Sequence, residues 1–311
     1  MVLCTLIFAI LAIFAIAKIY FKLTTGWCKS QTCLVGRTAL ITGANTGIGY
    51  ETALDFAKRG ARVILACRNK SKAEEARLKI ISETGNENIV VKIVDMASFD
   101  SVRAFAKEIN ETENRLDILV NNAGILNYGD RTSQDGLPLL IQTNHFSGFL
   151  LTHLLLELLK KSAPSRIVNV SSLAAGLATK FDVNRIEKHV SDSDDYNNSK
   201  LCNIYFTQEL AKKLKGTGVT VYSLHPGVIK TDITNNLTGL RKVAFAIMMN
   251  TMSKNPEEGA QTTIYCSVAK GIEKWNGELF AECKRIETYK TARDEGVAKK
   301  LWEKSERIVK L

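Results

Sequence analysis

The sequence predicts an α/β protein: one domain built on a doubly wound parallel sheet of about seven strands, preceded by an N-terminal transmembrane helix. Three observations lead there. Short apolar, β-rich runs alternate with segments of helical periodicity along most of the chain. Several of those runs are apolar almost throughout, as strands are when helices cover both faces of a sheet, and strict alternation with right-handed crossovers winds such a sheet from both sides. Ahead of all this stands one long apolar stretch.

That stretch, Val2 to Phe21, reads VLCTLIFAILAIFAIAKIYF, with Lys18 its only charge. As a helix it rises about 30 Å, enough to cross a hydrocarbon core, and Lys18 lies near enough to one end to snorkel. Lys22, Lys29 and Arg37 follow, so the positive-inside tendency puts the bulk of the protein on the cytosolic side. A cleavable signal peptide is the rival reading, with Ala15-Ile16-Ala17 as its cleavage site; the lack of a basic n-region and the length of the run count against it. The organisation expected is an anchor over residues 1–22, a linker over 23–35 and a single domain over 36–311.

Within the domain, strands are expected at Thr38–Thr42, Arg62–Ala66, Ile89–Val94, Ile118–Val120, Arg166–Ser171, Val219–Leu224 and near Glu278–Phe280. Helices are expected between them around Gly47–Arg59, Lys70–Glu83, Phe99–Glu113, Gly136–Leu159, Tyr196–Lys215 and Pro256–Val268. No repeat or low-complexity segment interrupts the pattern.

Hydrophobic residues make up 45% and charged residues 24% of the chain, so disorder is not the reading. A net charge of +10 raises nucleic acid or an anionic membrane as partners. Lys and Arg interleave with Glu, however, over Lys70–Lys79 and Lys107–Arg115, as on solvated helix faces. No nucleic-acid partner is expected, and a basic surface beside a membrane is. The seven cysteines are odd in number and fit no zinc or redox spacing, which points to thiols in a reducing compartment.

The first strand runs into Thr42-Gly43-Ala44-Asn45-Thr46-Gly47-Ile48-Gly49, and a helix follows. Glycine gives the tight backbone such a loop needs and leaves room for a pyrophosphate against the amides. The helix N-terminus supplies unpaired N–H groups and a partial positive charge. The spacing is TGxxxGxG, not GxGxxG. Where NAD-binding folds carry an acid after the second strand to hold the ribose hydroxyl, this chain has Cys67-Arg68. A guanidinium there suits a 2′-phosphate, so NADP(H) is the cofactor expected. Arg37 is either a second ligand of that phosphate or a solvated side chain.

Ser172, Tyr196 and Lys200 are the candidate catalytic group. Tyr196 and Lys200 share a helix face at i, i+4. A tyrosine near its ordinary pKa of about 10 is a poor base at neutral pH; a neighbouring ammonium and an oxidised nicotinamide are expected to lower it. Tyr196 then takes or gives the proton, while Ser172 polarises the substrate oxygen. A Tyr-x-x-x-Lys pair alone is often an exposed helix pair, but it is hard to obtain by accident in this order after a nucleotide loop.

Together, TGANTGIG, Asn121-Asn122-Ala123-Gly124, Ser172, Tyr196-x-x-x-Lys200 and Pro226-Gly227 resemble the motif series of the short-chain dehydrogenase/reductase family, from about Gly36 to Phe280. GANTGIG, ACR, RIVNVSSLA, SKLCNIYFTQELAKKLKGTGVT and HPG look closest to its membrane-anchored microsomal retinol dehydrogenases. The resemblance implies a Rossmann-type sheet and further roles. Asn144 matches the asparagine that completes a catalytic tetrad; by residue type alone it is a buried amide. Asn121 matches a brace of the central sheet. Asn122, Ala123 and Gly124 line the cofactor, Asp95 and the Met96 amide lie near adenine, and Pro226, Gly227 and Val228 meet nicotinamide. Thr231 meets a phosphate or the amide, and Lys200 bonds the nicotinamide ribose. A homodimer through the two long helices beside the site is also implied.

The activity this implies is NADPH-dependent interconversion of a lipophilic alcohol and its carbonyl, with all-trans-retinal reduced to retinol at a cytosol-facing endoplasmic reticulum membrane. Steroid, farnesal-like or other lipid carbonyls are the alternative substrates, and a non-catalytic nucleotide-binding membrane scaffold is the alternative class. Two segments depart from the pattern or leave a choice. Asp192, Asp194 and Asp195 just before Tyr196 read as a solvated loop at the substrate mouth. Thr231 to Ser253, rich in Leu, Ile and Met, reads as a substrate lid or as ordinary helix packing.

Overall fold

The computed structural model describes residues 12, 15–126, 131–229 and 253–311. Its centre is an eight-stranded sheet in the order β3-β2-β1-β4-β5-β6-β7-β8. The strands are β1 (Thr38–Thr42), β2 (Arg62–Cys67), β3 (Ile89–Ile93), β4 (Ile118–Asn121), β5 (Ser165–Val170), β6 (Val219–Leu224), β7 (Leu279–Ala281) and β8 (Lys284–Ile286). The first seven run parallel, in registers such as Leu40 opposite both Ile64 and Leu119. β8 returns antiparallel to β7, an addition to the seven strands expected. Its turn, Glu282-Cys283, has two left-handed residues at φ 50° and 55°, the backbone of a tight hairpin usually signalled by Asn-Gly. No such signal stands here, so the short strand was not visible in the sequence.

The apolar strands bury both faces by alternation. Leu40, Ile64, Leu119, Ile167 and Val221 point into one layer, and Ile41, Leu65, Val120, Val168 and Tyr222 into the other. α1 (Gly47–Lys58), α2 (Lys70–Thr84) and α8 (Pro256–Val268) cover the second face with Phe56, Ile80 and Ile264. α3 (Phe99–Thr112), α5 (Ser147–Leu154), α7 (Asp192–Lys213) and α9 (Glu295–Val309) cover the first. The strand order reverses between β1 and β4, and an open α/β sheet presents its ligand crevice at the carboxyl ends of the strands at such a point.

Three helical details differ from expectation. The helix expected over Gly136–Leu159 is broken into α4 (Leu139–Ile141), a π turn (Gln142–Phe146), α5 and α6 (Leu156–Lys161). The acidic run is no solvated loop: α7 begins at Asp192, capped by Ser191 accepting from the Asp194 amide, and carboxylates favour the first turn of a helix. Asp195 is buried, with its carboxylate held by His189 Nδ1 at 2.6 Å and the Val190 amide at 3.2 Å. The third is α9, which the sequence reading did not include. Trp302 on α9 packs edge-on against Phe149 and tilted against Phe206, with ring centroids 5.1 and 5.9 Å away. The surface of α5 and α7 through which a homodimer is implied thus already carries part of this chain.

Residues 15–24 are helical and largely exposed, and no described helix is long and apolar enough to cross a membrane. Most of the run expected to do so lies outside the described residues.

Candidate active site

The glycine loop packs on itself and on the strand beside it. Gly43 N donates to Ala66 O at 2.8 Å with φ at +67°. A methyl group at Gly49 would strike the Gly43 carbonyl and stand 2.6 Å from Asn122 Nδ2, so this glycine is required by the loop itself. Gly47 is different: φ is +58° and its missing side chain would point into open space. Thr46 caps α1 without a side-chain hydrogen bond, and the first turn holds no acid. The leading amides of α1 at Gly47, Ile48 and Gly49 therefore face an opening with their donors available, a cradle for an anion. Asn45 is half-buried and Thr46 exposed on its rim.

The stretch after β4 is riveted to this loop. Asn122 Nδ2 donates to Thr42 O at 2.8 Å, and the Asn122 and Ala123 amides both donate to Thr42 Oγ1 at 3.0 and 2.9 Å. Asn121 reaches the other way, donating to Asn169 Oδ1 at 2.8 Å and Thr152 Oγ1 at 2.9 Å, which ties β4 to β5 and α5. Gly124 is exposed and must stay small, since a methyl group there would lie 3.2 Å from Lys200 Nζ and 3.4 Å from Asn144 Oδ1.

Ser172, Tyr196, Lys200 and Asn144 come together beside Gly124 at the carboxyl ends of β4 and β5. Ser172 caps a 3-10 turn, accepting from the Ala174 amide at 3.2 Å, and its hydroxyl is near enough to the Tyr196 phenol to favour the ionised form. Lys200 Nζ lies 5.7 Å from the centre of the Tyr196 ring and donates to Val170 O at 3.1 Å. Asn144 sits in the π turn, a distortion common at functional sites. Its amide clasps Ile125, accepting from the backbone N–H at 2.7 Å and donating to the carbonyl at 3.0 Å, and it donates to Ser199 Oγ at 3.1 Å.

Burial governs the titrations. It pulls Lys200 down to about 8. It pushes the Tyr196 phenol up, with the Ser172 hydroxyl pulling the other way. Desolvation is the larger effect on the phenol here, so its net shift is upward, where the neighbouring ammonium and an oxidised nicotinamide were expected to bring it down.

The remaining candidates lie along the same edge. Arg68, just past β2, is exposed and makes no hydrogen bond or ion pair among the described residues. Asp95 and Met96 follow β3; Asp95 Oδ1 accepts from the Ala97 amide at 2.9 Å in a tight turn, and the Met96 carbonyl accepts from Ser147 Oγ at 2.6 Å. After β6, Pro226 is buried, Gly227 has φ at +89° and Val228 is exposed. Thr231 and nearly all of the expected lid lie outside the described residues. Of the two readings of Arg37, the phosphate ligand is excluded. Arg37 precedes β1, at the opposite edge of the sheet, and pairs with Asp117 at 2.6 Å beside Arg115, so it does not approach the crevice.

The sequence reading missed a set of residues behind the site. Asn203 Nδ2 donates to the Asn144 carbonyl at 3.0 Å and reaches Val170 O at 3.4 Å. Its Oδ1 pairs with His145 Nδ1 at 3.2 Å, and His145 Nε2 pairs with Ser305 Oγ on α9 at 3.2 Å. A signal existed: Asn203 follows Lys200 by one helical turn, a polar residue on a face otherwise headed for the core.

The residues present fit a nicotinamide dinucleotide: the open face at Gly47 and the first amides of α1 suit its pyrophosphate, and Arg68 stands past β2 with no partner among the described residues.

Comparison with known proteins agrees with this geometry. Residues 37–241 match the family model described as short chain dehydrogenase. The chain is 45% identical to mouse retinol dehydrogenase 11, covering 93% of this chain and 91% of that one. It is 42% identical to human retinol dehydrogenase 12, covering 89% and 87%. Among solved structures it resembles an uncharacterised protein of Mycobacterium paratuberculosis, with a TM-score of 0.72 at 30% identity, covering 92% and 98%. It also resembles Pseudomonas aeruginosa RhlG in an NADP active-site complex, with a TM-score of 0.64 at 27% identity, covering 86% and 98%. With its sheet order, glycine loop and Ser-Tyr-Lys group in place, the chain belongs to the short-chain dehydrogenase/reductase family.

Proposed function

We propose that this oxidoreductase uses NADPH to reduce a lipophilic aldehyde or ketone, with all-trans-retinal as the first substrate to test. The observation that carries the reading is the meeting of Ser172, Tyr196, Lys200 and Asn144 at the end of a crevice whose other end holds the glycine loop and Arg68. NADPH, held by the first amides of α1 and by Arg68, would supply the hydride that the carbonyl carbon accepts. Ser172 donates a hydrogen bond to the carbonyl oxygen and fixes it beside the phenol. Tyr196 gives that oxygen its proton, and a phenol held up by burial stays protonated until the transfer. Lys200 supplies positive charge next to the phenol as it loses its proton. Asn144 holds the Ile125 backbone and Ser199 in place behind both groups. Arg68 favours the 2′-phosphate, which supports NADPH over NADH.

The retinoid rests on the retinol dehydrogenase relatives, and the reductive direction on the choice of NADPH that the missing acid after β2 favours. The Val2–Phe21 run supports a membrane anchor, and the basic residues after it support a domain on the cytosolic side. The test is NADPH oxidation by detergent-solubilised protein given all-trans-retinal, beside NADH. Turnover of steroids or lipid aldehydes but not retinal would move the substrate within the class. NADPH binding with no turnover across that panel would replace the enzyme by a nucleotide-binding scaffold.

A further inference from the structure

The segment between the N-terminal helix and β1 is bolted along α8. Lys22 pairs with Glu258 in the first turn of α8. The Cys28 amide donates to Gln261 Oε1 at 3.1 Å, and Thr32 Oγ1 donates to Val268 O at 2.8 Å near the other end of the helix. Between them the Gly26 amide donates to the Glu282 carboxylate at 2.7 Å, and Gly26 lies so flat against the β7–β8 turn that a methyl group on it would run into the Glu282 carbonyl. Lys254 grips the same carboxylate at 2.6 and 2.7 Å.

The bolts sit at the working edge of the sheet. α8 returns antiparallel to the strands, so its N-terminus shares their carboxyl edge with the candidate active site. The residue after Glu258, Gly259, has Ile229 and the loop residue Ile48 only 2.5 and 3.3 Å from where a methyl group would stand. Lys254 packs equally close to Gly227. Exposed apolar side chains stand on both the N-terminal helix and the turn beside Ser172. Ile16, Ile19, Tyr20 and Leu23 are exposed on the N-terminal helix, and Leu173 and Leu177 are exposed on the turn that Ser172 caps. The chain therefore leaves the domain at the edge that carries the site, through a helix with an exposed apolar surface, and Leu173 and Leu177 are exposed next to Ser172.

We infer that this strap is an orienting device: it holds the crevice mouth against a lipid bilayer, so that a membrane-dissolved carbonyl substrate passes from lipid to site without entering water. The inference rests on the lipophilic substrate proposed above. An anchor alone would only raise the local concentration of the domain near the membrane; a bolted exit also fixes which face meets it.

Two variants of the full chain test it, neither touching the candidate catalytic residues. Gly26→Val drives the strap off the β7–β8 turn. A flexible Gly/Ser insertion of about six residues between Thr24 and Thr25 leaves the bolts at Gly26 and beyond alone and lets the domain drift from its anchor by roughly 13 Å. Each is reconstituted in phosphatidylcholine vesicles and assayed with NADPH against retinal in the vesicles and against water-soluble pyridine-3-carboxaldehyde. The expected result is an apparent KM for vesicle-borne retinal roughly tenfold higher in both variants, with kcat and turnover of the soluble aldehyde unchanged. Equal KM values for wild type and the insertion variant would overturn the strap while leaving the reductase standing. Loss of both substrates in Gly26→Val alone would mark a folding defect, and the insertion variant would then decide. No turnover of either substrate by wild type would overturn the reductase, and the inference with it.

Discussion

Asn203 donates a hydrogen bond of 3.0 Å to the main-chain carbonyl of Asn144. The π turn is what makes that carbonyl available, because its hydrogen-bond pattern is displaced from that of an α-helix. The same Asn203 side chain reaches the Val170 carbonyl that Lys200 uses, and through His145 and Ser305 it engages the C-terminal helix. The positions of the candidate tetrad are thus set from behind by residues that do not touch the crevice.

Replacing Asn203 with Ala takes a donor from the Asn144 carbonyl and the partner from His145 Nδ1, while the Val170 carbonyl keeps Lys200. Unmade buried hydrogen bonds of this kind cost about 1–3 kcal/mol each. A lower Tm and a lower kcat are expected together, while the KM for NADPH stays near wild type because the glycine loop and Arg68 are untouched. Thermal unfolding and steady-state kinetics on one preparation check this.

Burial lowers His145 from its ordinary 6.5 to about 4. The folded state therefore binds its proton less readily than the unfolded state. Stability from this group is complete above about 6.5 and is lost as pH falls toward about 4. His145→Gln, which keeps hydrogen-bonding capacity without titrating, is expected to flatten the fall in Tm over that window. An unchanged acid limb would contradict it.

Lys200 carries the basic limb of activity. Burial brings it down to about 8, so its positive charge is present below that pH and fades above it. Reductive kcat is expected to fall as pH rises through about 8, while Tyr196, shifted upward, still holds its proton. Lys200→Met should lose most activity at every pH; a variant with wild-type rate and the same basic limb would show that another group titrates.

Cofactor choice turns on Arg68. A charge-assisted hydrogen bond to a phosphate contributes about 1.5–3 kcal/mol, so Arg68→Ala is expected to raise the KM for NADPH roughly tenfold to a hundredfold. The KM for NADH should hardly move. Parallel titrations with both cofactors read this directly, and equal losses would assign Arg68 a structural part.

Most of the sheet was legible because its strands are apolar runs with a helix after each, a pattern that leaves few alternatives. Ser172, Tyr196 and Lys200 were legible because order, spacing and the glycine loop constrain one another. What stayed hidden depends on contacts between distant segments. β8 has only three residues and a turn without glycine. α9 has a readable periodicity in Ala298, Leu301, Trp302, Ser305 and Val309, but its place against α5 and α7 is set by tertiary packing. Arg37 stayed undecided between a phosphate ligand and a solvated side chain because residue type alone does not say which edge of the sheet a side chain serves; its ion pair with Asp117 excludes the first. The acidic run was misjudged because Asp195 finds His189, a partner six residues earlier that only the folded turn brings near.

The most direct test of the proposed chemistry is a single turnover with Tyr196→Phe, which removes one oxygen from a half-buried ring and should leave NADPH binding intact. Enzyme saturated with NADPH is mixed with all-trans-retinal, and nicotinamide absorbance is followed. Rapid oxidation in wild type and a rate reduced by a factor of a hundred or more in the variant, on the scale of a lost general acid, are expected. Oxidation at the wild-type rate in Tyr196→Phe would mean that the proton comes from elsewhere, and that the group centred on Ser172, Tyr196 and Lys200 is not the catalytic one.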